Sequence, residues 1–146
     1  MNTRLEHANI VVRDVDATIR FLSTAFPEFR VRFDGIDGRG RRWVHIGTDT
    51  TYIALGKATI EPDSSWIPYS GALGVNHLAY VVDDVDAVQA RLTLVGYKNS
   101  TVFNNHPYRK RIYFYDPDGN DWEFVQYLSE KTDEQNDYLI PDAGAA

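Results

Sequence analysis

Two histidines and one glutamate carry the chemistry that the spacing of this chain suggests. His7 lies in LEHANIVVRDVDA (residues 5–17) and His77 in VNHLAYVVDDVDA (residues 75–87), phrases identical at seven of thirteen overlaid positions. Glu123 lies in WEFVQY, among bulky apolar and aromatic residues. A strand histidine with apolar neighbours is commonly a core residue with a satisfied ring nitrogen, and alternation would let Glu123 face solvent while Trp122 and Phe124 face inward. Those explanations serve each residue alone. They do not explain why two histidines at matched places coincide with a carboxylate whose burial would be costly unless it were paired or bound to a cation. Two histidines and a carboxylate on one side of a metal leave positions open for substrate, an arrangement associated with non-haem Fe(II) and compatible with Mn, Ni or Zn.

The elements that must position these residues follow from the repeat. A period of seventy with two copies is too long for a solenoid and reads as a duplicated supersecondary module. Each copy starts with a strand, Leu5–Val12 and Val75–Val82, and runs into Asp-Val-Asp, where an Asp can accept from the first free amides of a helix. Val15, Ile19, Leu22 and Phe26 form one helical stripe, as do Val85, Val88, Leu92 and Val95, with Pro27 and Gly96 at the expected stops. Three strands are expected next in each copy, near residues 30–34, 41–46 and 51–55, then 98–103, 111–115 and 122–127. Asp116-Pro117-Asp118-Gly119 is a strong turn signal before the last of these. The order is βαβββ, twice. Residues 57–74 link the modules, and Trp66 and Tyr69 suggest that the linker packs against something. From 129 to 146 the chain is a polar tail with a short apolar patch at Tyr138–Pro141.

Composition narrows the chemistry further. The chain has 146 residues, a formal charge of −6 and no cysteine. Disulfides, a thiolate nucleophile and Cys-ligated zinc are excluded, so any metal is held by His and carboxylate. An acidic protein has no overall attraction for nucleic acid or for an acidic membrane surface. The start of the chain resembles neither a signal peptide nor a membrane span, so a cytoplasmic location is expected.

The doubled βαβββ module, with a histidine in the first strand of each half and FYDPDGNDWEF ending the second, resembles the vicinal oxygen chelate superfamily over roughly residues 4–128. That superfamily includes glyoxalase I, fosfomycin-resistance proteins, extradiol dioxygenases, methylmalonyl-CoA epimerase and metal-free bleomycin-binding proteins. The resemblance implies an α+β fold in which the tandem modules (4–56 and 75–128) form an open, cup-shaped mixed-sheet barrel with helices outside. It implies one domain over residues 1–128, and a homodimer. It also places His7, His77 and Glu123 at metal positions for one divalent ion (Fe, Mn, Ni or Zn).

The strand matching Glu123 in module one is TTYIALG, where Ala54, or Ile53 if the register slips, cannot ligate. Its absence favours three-ligand members, the fosfomycin thiol transferases and extradiol dioxygenases, over glyoxalase I and the epimerase. Tyr113 stands where both three-ligand groups carry an active-site tyrosine, and Asn9 where the fosfomycin enzymes have a threonine facing substrate. Arg109 and Arg111 could bind an anionic substrate, and His106 could reach the cup from its loop. His45, between Val44 and Ile46, is expected on an outer face. The resulting expectation is a metal-dependent enzyme acting on a small bidentate oxygen substrate. The alternatives are a fosfomycin-type thiol transferase and a ligand-sequestering protein without turnover.

Overall fold

The elements run β1 (His7–Val12), α1 (Val15–Ala25), β2 (Arg30–Ile36), β3 (Arg42–Gly47), β4 (Tyr52–Lys57), β5 (His77–Val81), α2 (Val85–Val95), β6 (Arg109–Tyr115), β7 (Asp121–Tyr127) and α3 (Thr132–Gln135). The computed structural model describes residues 3–61, 68–71, 73–101 and 106–139. The chain divides into two units, Met1–Trp66 and Ile67–Ala146. Trp66 and residues 140–141 of the apolar patch in the tail lie outside the described residues.

The repeated phrase is a strand-to-helix switch. Asp14 Oδ1 accepts the Ala17 amide at 2.9 Å and Asp84 Oδ1 the Ala87 amide at 3.0 Å. Each Asp therefore satisfies one of the amides that a helix start leaves free. Asp16 and Asp86 follow in the first turn, where the helix dipole favours an anion. At the other end Gly96 takes the left-handed conformation (φ 92°) that stops α2. α1 stops at Phe26, one residue before Pro27.

Unit one is a four-stranded mixed sheet in the order β1-β4-β3-β2; unit two is a three-stranded mixed sheet in the order β5-β7-β6. β1 and β5 run parallel to β4 and β7 respectively, and the other pairs are antiparallel. The fold is α+β, as expected, and neither sheet closes on itself to make a barrel. Alternation gives each sheet a face toward its helix. In unit one Val44, Ile46, Ile53 and Leu55 pack there with Phe21 and Leu22 of α1 at 1% exposure or less. In unit two Phe114, Trp122 and Phe124 do so with Leu92 of α2. Each such side chain contributes roughly 1.5–3 kcal/mol by leaving water.

Two expectations need correction here. Of the strand expected near 98–103, the described residues 98–101 make only a single bridge, Asn99 to Phe114, and residues 102–103 lie outside the described set. The physical reason is Thr101, whose hydroxyl takes the Tyr113 amide at 2.7 Å and so replaces the backbone carbonyl that would extend a ladder. Val95, the last residue of α2, is not part of the buried stripe but 60% exposed. In α1 the stripe holds at Val15, Leu22 and Phe26, with Phe21 fully buried beside it.

Candidate functional site

The face of the second sheet turned away from α2 gathers the polar side chains. Register sets His77 against Asp121, Ala79 against Glu123, and Tyr113 against Glu123 on the other side. These residues, with Arg111, therefore share one face. Glu123 sits on the central strand and is 8% exposed. Its Oε2 lies 3.1 Å from His77 Nε2, and its Oε1 accepts the Tyr113 hydroxyl at 2.7 Å. Burial, then the bond to Glu123, pushes the Tyr113 hydroxyl well above the ordinary phenol range, so it stays a donor.

Three partners of this group escaped the sequence analysis. The Tyr69 hydroxyl lies 2.9 Å from His77 Nδ1 and donates to Asp121 Oδ2 at 3.0 Å. Ser100 Oγ donates to Asp121 Oδ1 at 2.5 Å. Asp121 was recoverable, because it lies two residues before Glu123 in a strand and so on the same face. Nothing local marks Ser100. Tyr69 was noted only as a linker residue that should pack, and it does.

The matching face of the first sheet is aromatic. His7 pairs with Tyr52 and Asn9 with Ala54, so Ala54, not Ile53, is the counterpart of Glu123. His45 pairs with Ala54 and stands where Tyr113 stands in unit two. The Tyr52 ring stacks on His7 at 4.7 Å and lies 4.6 Å from the His45 ring. Trp43 meets the His45 ring edge to face at 4.4 Å, and the Arg32 guanidinium lies 4.5 Å over Tyr52. His45 thus shares the face of His7, not a separate outer surface. Burial, then the Arg32 charge, holds it below the ordinary histidine range, and its Nε2 finds no hydrogen-bond partner among the described residues. His7 Nδ1 contacts Glu6 at 2.9 Å. Asn9 is exposed.

The remaining predicted residues lie elsewhere. Arg109 is 7% exposed and donates to the carbonyls of Gln135 and Asp137 at 3.1 and 3.2 Å, with the Tyr138 ring 4.7 Å from its guanidinium. It anchors the tail around α3. His106 is 4% exposed, accepts the Tyr108 amide at Nδ1, and packs edge-on against the Tyr108 ring.

Among the described residues no group of three or more His, Asp or Glu side chains is gathered to hold a metal ion. The His77–Glu123 pair nevertheless fits one by its chemistry. An imidazole nitrogen and a carboxylate oxygen are the donors that suit Mn, Fe, Ni or Zn. Ligand bonds of about 2.0–2.2 Å set neighbouring donor atoms roughly 3 Å apart, close to the 3.1 Å found.

Comparison with known proteins agrees with this architecture. The model of the Glyoxalase/Bleomycin resistance protein/Dioxygenase superfamily matches residues 4–124. The chain belongs to that superfamily. No curated protein matches it. Among solved structures, a glyoxylase/bleomycin resistance protein/dioxygenase domain from Frankia sp. EAN1pec is 18% identical, with a TM-score of 0.71 over 87% of this chain and 99% of that one. The fosfomycin resistance protein FosX from Listeria monocytogenes, complexed with Mn(II) and sulfate, is 19% identical, with a TM-score of 0.64 over 92% and 98%. A mutant of the same FosX with Mn(II) and 1S,2S-dihydroxypropylphosphonic acid gives 18% identity and a TM-score of 0.65 over 94% and 100%. At these identities the likeness shows a shared fold.

Proposed function

We propose that the protein is a divalent-metal-dependent enzyme for a small substrate with two adjacent oxygen donors. The observation that carries this is the buried Glu123 carboxylate held 3.1 Å from His77 Nε2, with donors prepared around both. A bound divalent cation would supply Lewis-acid stabilisation of charge developing on substrate oxygen. His77 and Glu123 hold it. His7, at the matching register position of its own module, is proposed as the third ligand on the strength of the repeat.

The other residues of this face do the remaining work. Tyr113 keeps its proton and donates it to Glu123 Oε1, which fixes the carboxylate's rotamer and turns Oε2 toward His77. Arg111 shares the face of Tyr113, and its charge acts on the Tyr113 hydroxyl, so it is placed to favour an anionic substrate. The Mn(II), sulfate and diol-phosphonate complexes of FosX lend weight to an anionic oxygen ligand. Glu123 does not serve as general base while it is a ligand.

The test is metal content by mass spectrometry, with calorimetric titration of Mn(II) and Zn(II), on the wild type and on Glu123→Gln. Near-stoichiometric metal in the wild type, lost in the variant while circular dichroism is unchanged, supports the reading. No metal uptake by the wild type overturns it and leaves a ligand-sequestering protein.

A further inference from the structure

Tyr69 is the one described non-glycine residue with a left-handed backbone, φ 62°. That conformation is strained for a residue with a Cβ and persists only where its surroundings impose it. Here the Tyr69 amide donates to the Asn76 side-chain carbonyl at 2.9 Å, which ties the strained residue beside the start of β5. The residue is 54% exposed, yet its hydroxyl reaches His77 Nδ1 and Oδ2 of the buried Asp121. A strained backbone and a half-exposed residue whose hydroxyl bonds a buried carboxylate describe a side chain placed for that one atom.

The direction of the hydrogen bonds follows from the donors available. Asp121 is 4% exposed, and Ser100 already donates to its Oδ1. Its Oδ2 is met by the Tyr69 hydroxyl, which has one proton to give, and a carboxylate is the stronger claimant for it. The Tyr69 oxygen is then an acceptor toward His77, and His77 Nδ1 must carry a hydrogen. The opposite nitrogen, Nε2, is the one 3.1 Å from Glu123.

We infer that Tyr69 and Asp121 are positioning residues that hold His77 with Nδ1–H toward Tyr69 and its coordinating nitrogen, Nε2, toward Glu123. The inference rests on the proposed function for what occupies Nε2, and on the chain's own contacts for what holds Nδ1. With its hydrogen on Nδ1, His77 has Nε2 left as the nitrogen to bind a cation beside Glu123. Ser100 keeps Asp121 facing Tyr69. Such support of a ligating histidine is typically worth 10–100-fold in metal affinity.

The experiment uses ¹⁵N-labelled full-length protein, metal-free and Zn(II)-loaded, as wild type, Tyr69→Phe, Asp121→Asn and Ser100→Ala. Long-range ¹H–¹⁵N spectra report the protonation of each His77 nitrogen, and calorimetry reports Zn(II) affinity. The expected result is an Nδ1-bound hydrogen on His77 in both wild-type states, no longer confined to Nδ1 in metal-free Tyr69→Phe, with Zn(II) affinity of that variant down about 10–100-fold. Ser100→Ala should give a smaller loss in the same direction. Wild-type zinc binding with unchanged affinity in Tyr69→Phe and Asp121→Asn, or with His77 protonated at Nε2 and bound through Nδ1, overturns the inference and leaves the metal reading intact. Should the wild type take up neither Zn(II) nor Mn(II), the metal reading fails by itself. The metal-free spectra then decide: an Nδ1–H no longer confined to Nδ1 in Tyr69→Phe upholds the positioning, and its absence from the wild type overturns that too.

Discussion

The two modules share a scaffold and differ on one face. Both turn from a parallel-paired strand into a helix through an Asp cap, and both bury a leucine at the matched helix position, Leu22 and Leu92. The faces turned away from the helices part company. Module two sets His77, Asp121, Glu123 and Tyr113 into a hydrogen-bonded polar group, whereas module one sets His7, Tyr52 and His45 into a stack of rings around Ala54. Where Glu123 would stand, a methyl group leaves room for the Tyr52 ring to lean between two imidazoles. The scaffold depends on helix caps and apolar volume, which a repeat can carry twice. The chemistry depends on single side chains, and there the copies need not agree.

The comparison can be broken where it is strongest. Leu22→Ala and Leu92→Ala each remove a fully buried side chain against a sheet and should each cost about 2–5 kcal/mol in urea denaturation. Losses differing by more than about 2 kcal/mol would show that the modules are not equivalent scaffolds. The caps give a finer version. Asp14→Ala and Asp84→Ala should each lose about 1 kcal/mol, with Asn in place of Ala restoring most of it.

The turn aspartates sharpen the contrast, because two similar-looking residues should respond oppositely to acid. Asp37, after β2, accepts the Arg39 and Arg41 amides and the Arg41 guanidinium. The Arg41 bonds hold its carboxyl at about 2. Its contribution is therefore present above the ordinary value of 3.8 and lost as pH falls toward 2. Asp116, after β6, also accepts amides, and the Trp122 indole as well, but burial outweighs these bonds and raises its carboxyl. Its contribution is full below 3.8 and is lost as pH rises through the elevated value. Thermal melts from pH 2 to 7 should show Asp37→Asn flattening the acid side and Asp116→Asn removing a decline above it. Equal effects at one pH would refute the contrast.

What the sequence made legible was what repeats or alternates. The doubled phrase located both strands and both caps, and narrowed the counterpart of Glu123 to Ala54 or Ile53, between which the strand register decides for Ala54. The matched histidines and the coincident carboxylate pointed to His77 and Glu123 together, and the strand register then sets them and Tyr113 on one face. What it did not reveal depends on single long-range contacts. Tyr69 reaches Asp121 across 52 residues, and Ser100 reaches it across 21. Arg109 is expected from its charge to meet an anionic substrate, and only its burial against the tail's carbonyls gives it a different task. His45 was set apart from His7 because its neighbours Val44 and Ile46 drew attention to the wrong face, although the same alternation also assigns it to that of His7.

The two members of the candidate site ride on strands of unequal permanence. β7 is bonded on both sides, by β5 and by β6, whereas in this sheet β5 is bonded by β7 alone. Backbone amides at a sheet edge exchange with solvent through small local openings, while those of a central strand wait for larger ones. Glu123 therefore belongs to the slow-exchanging middle of the sheet and His77 to its fast margin. The 3.1 Å contact between them acts as a latch across that gradient, and whatever strengthens it quiets the edge.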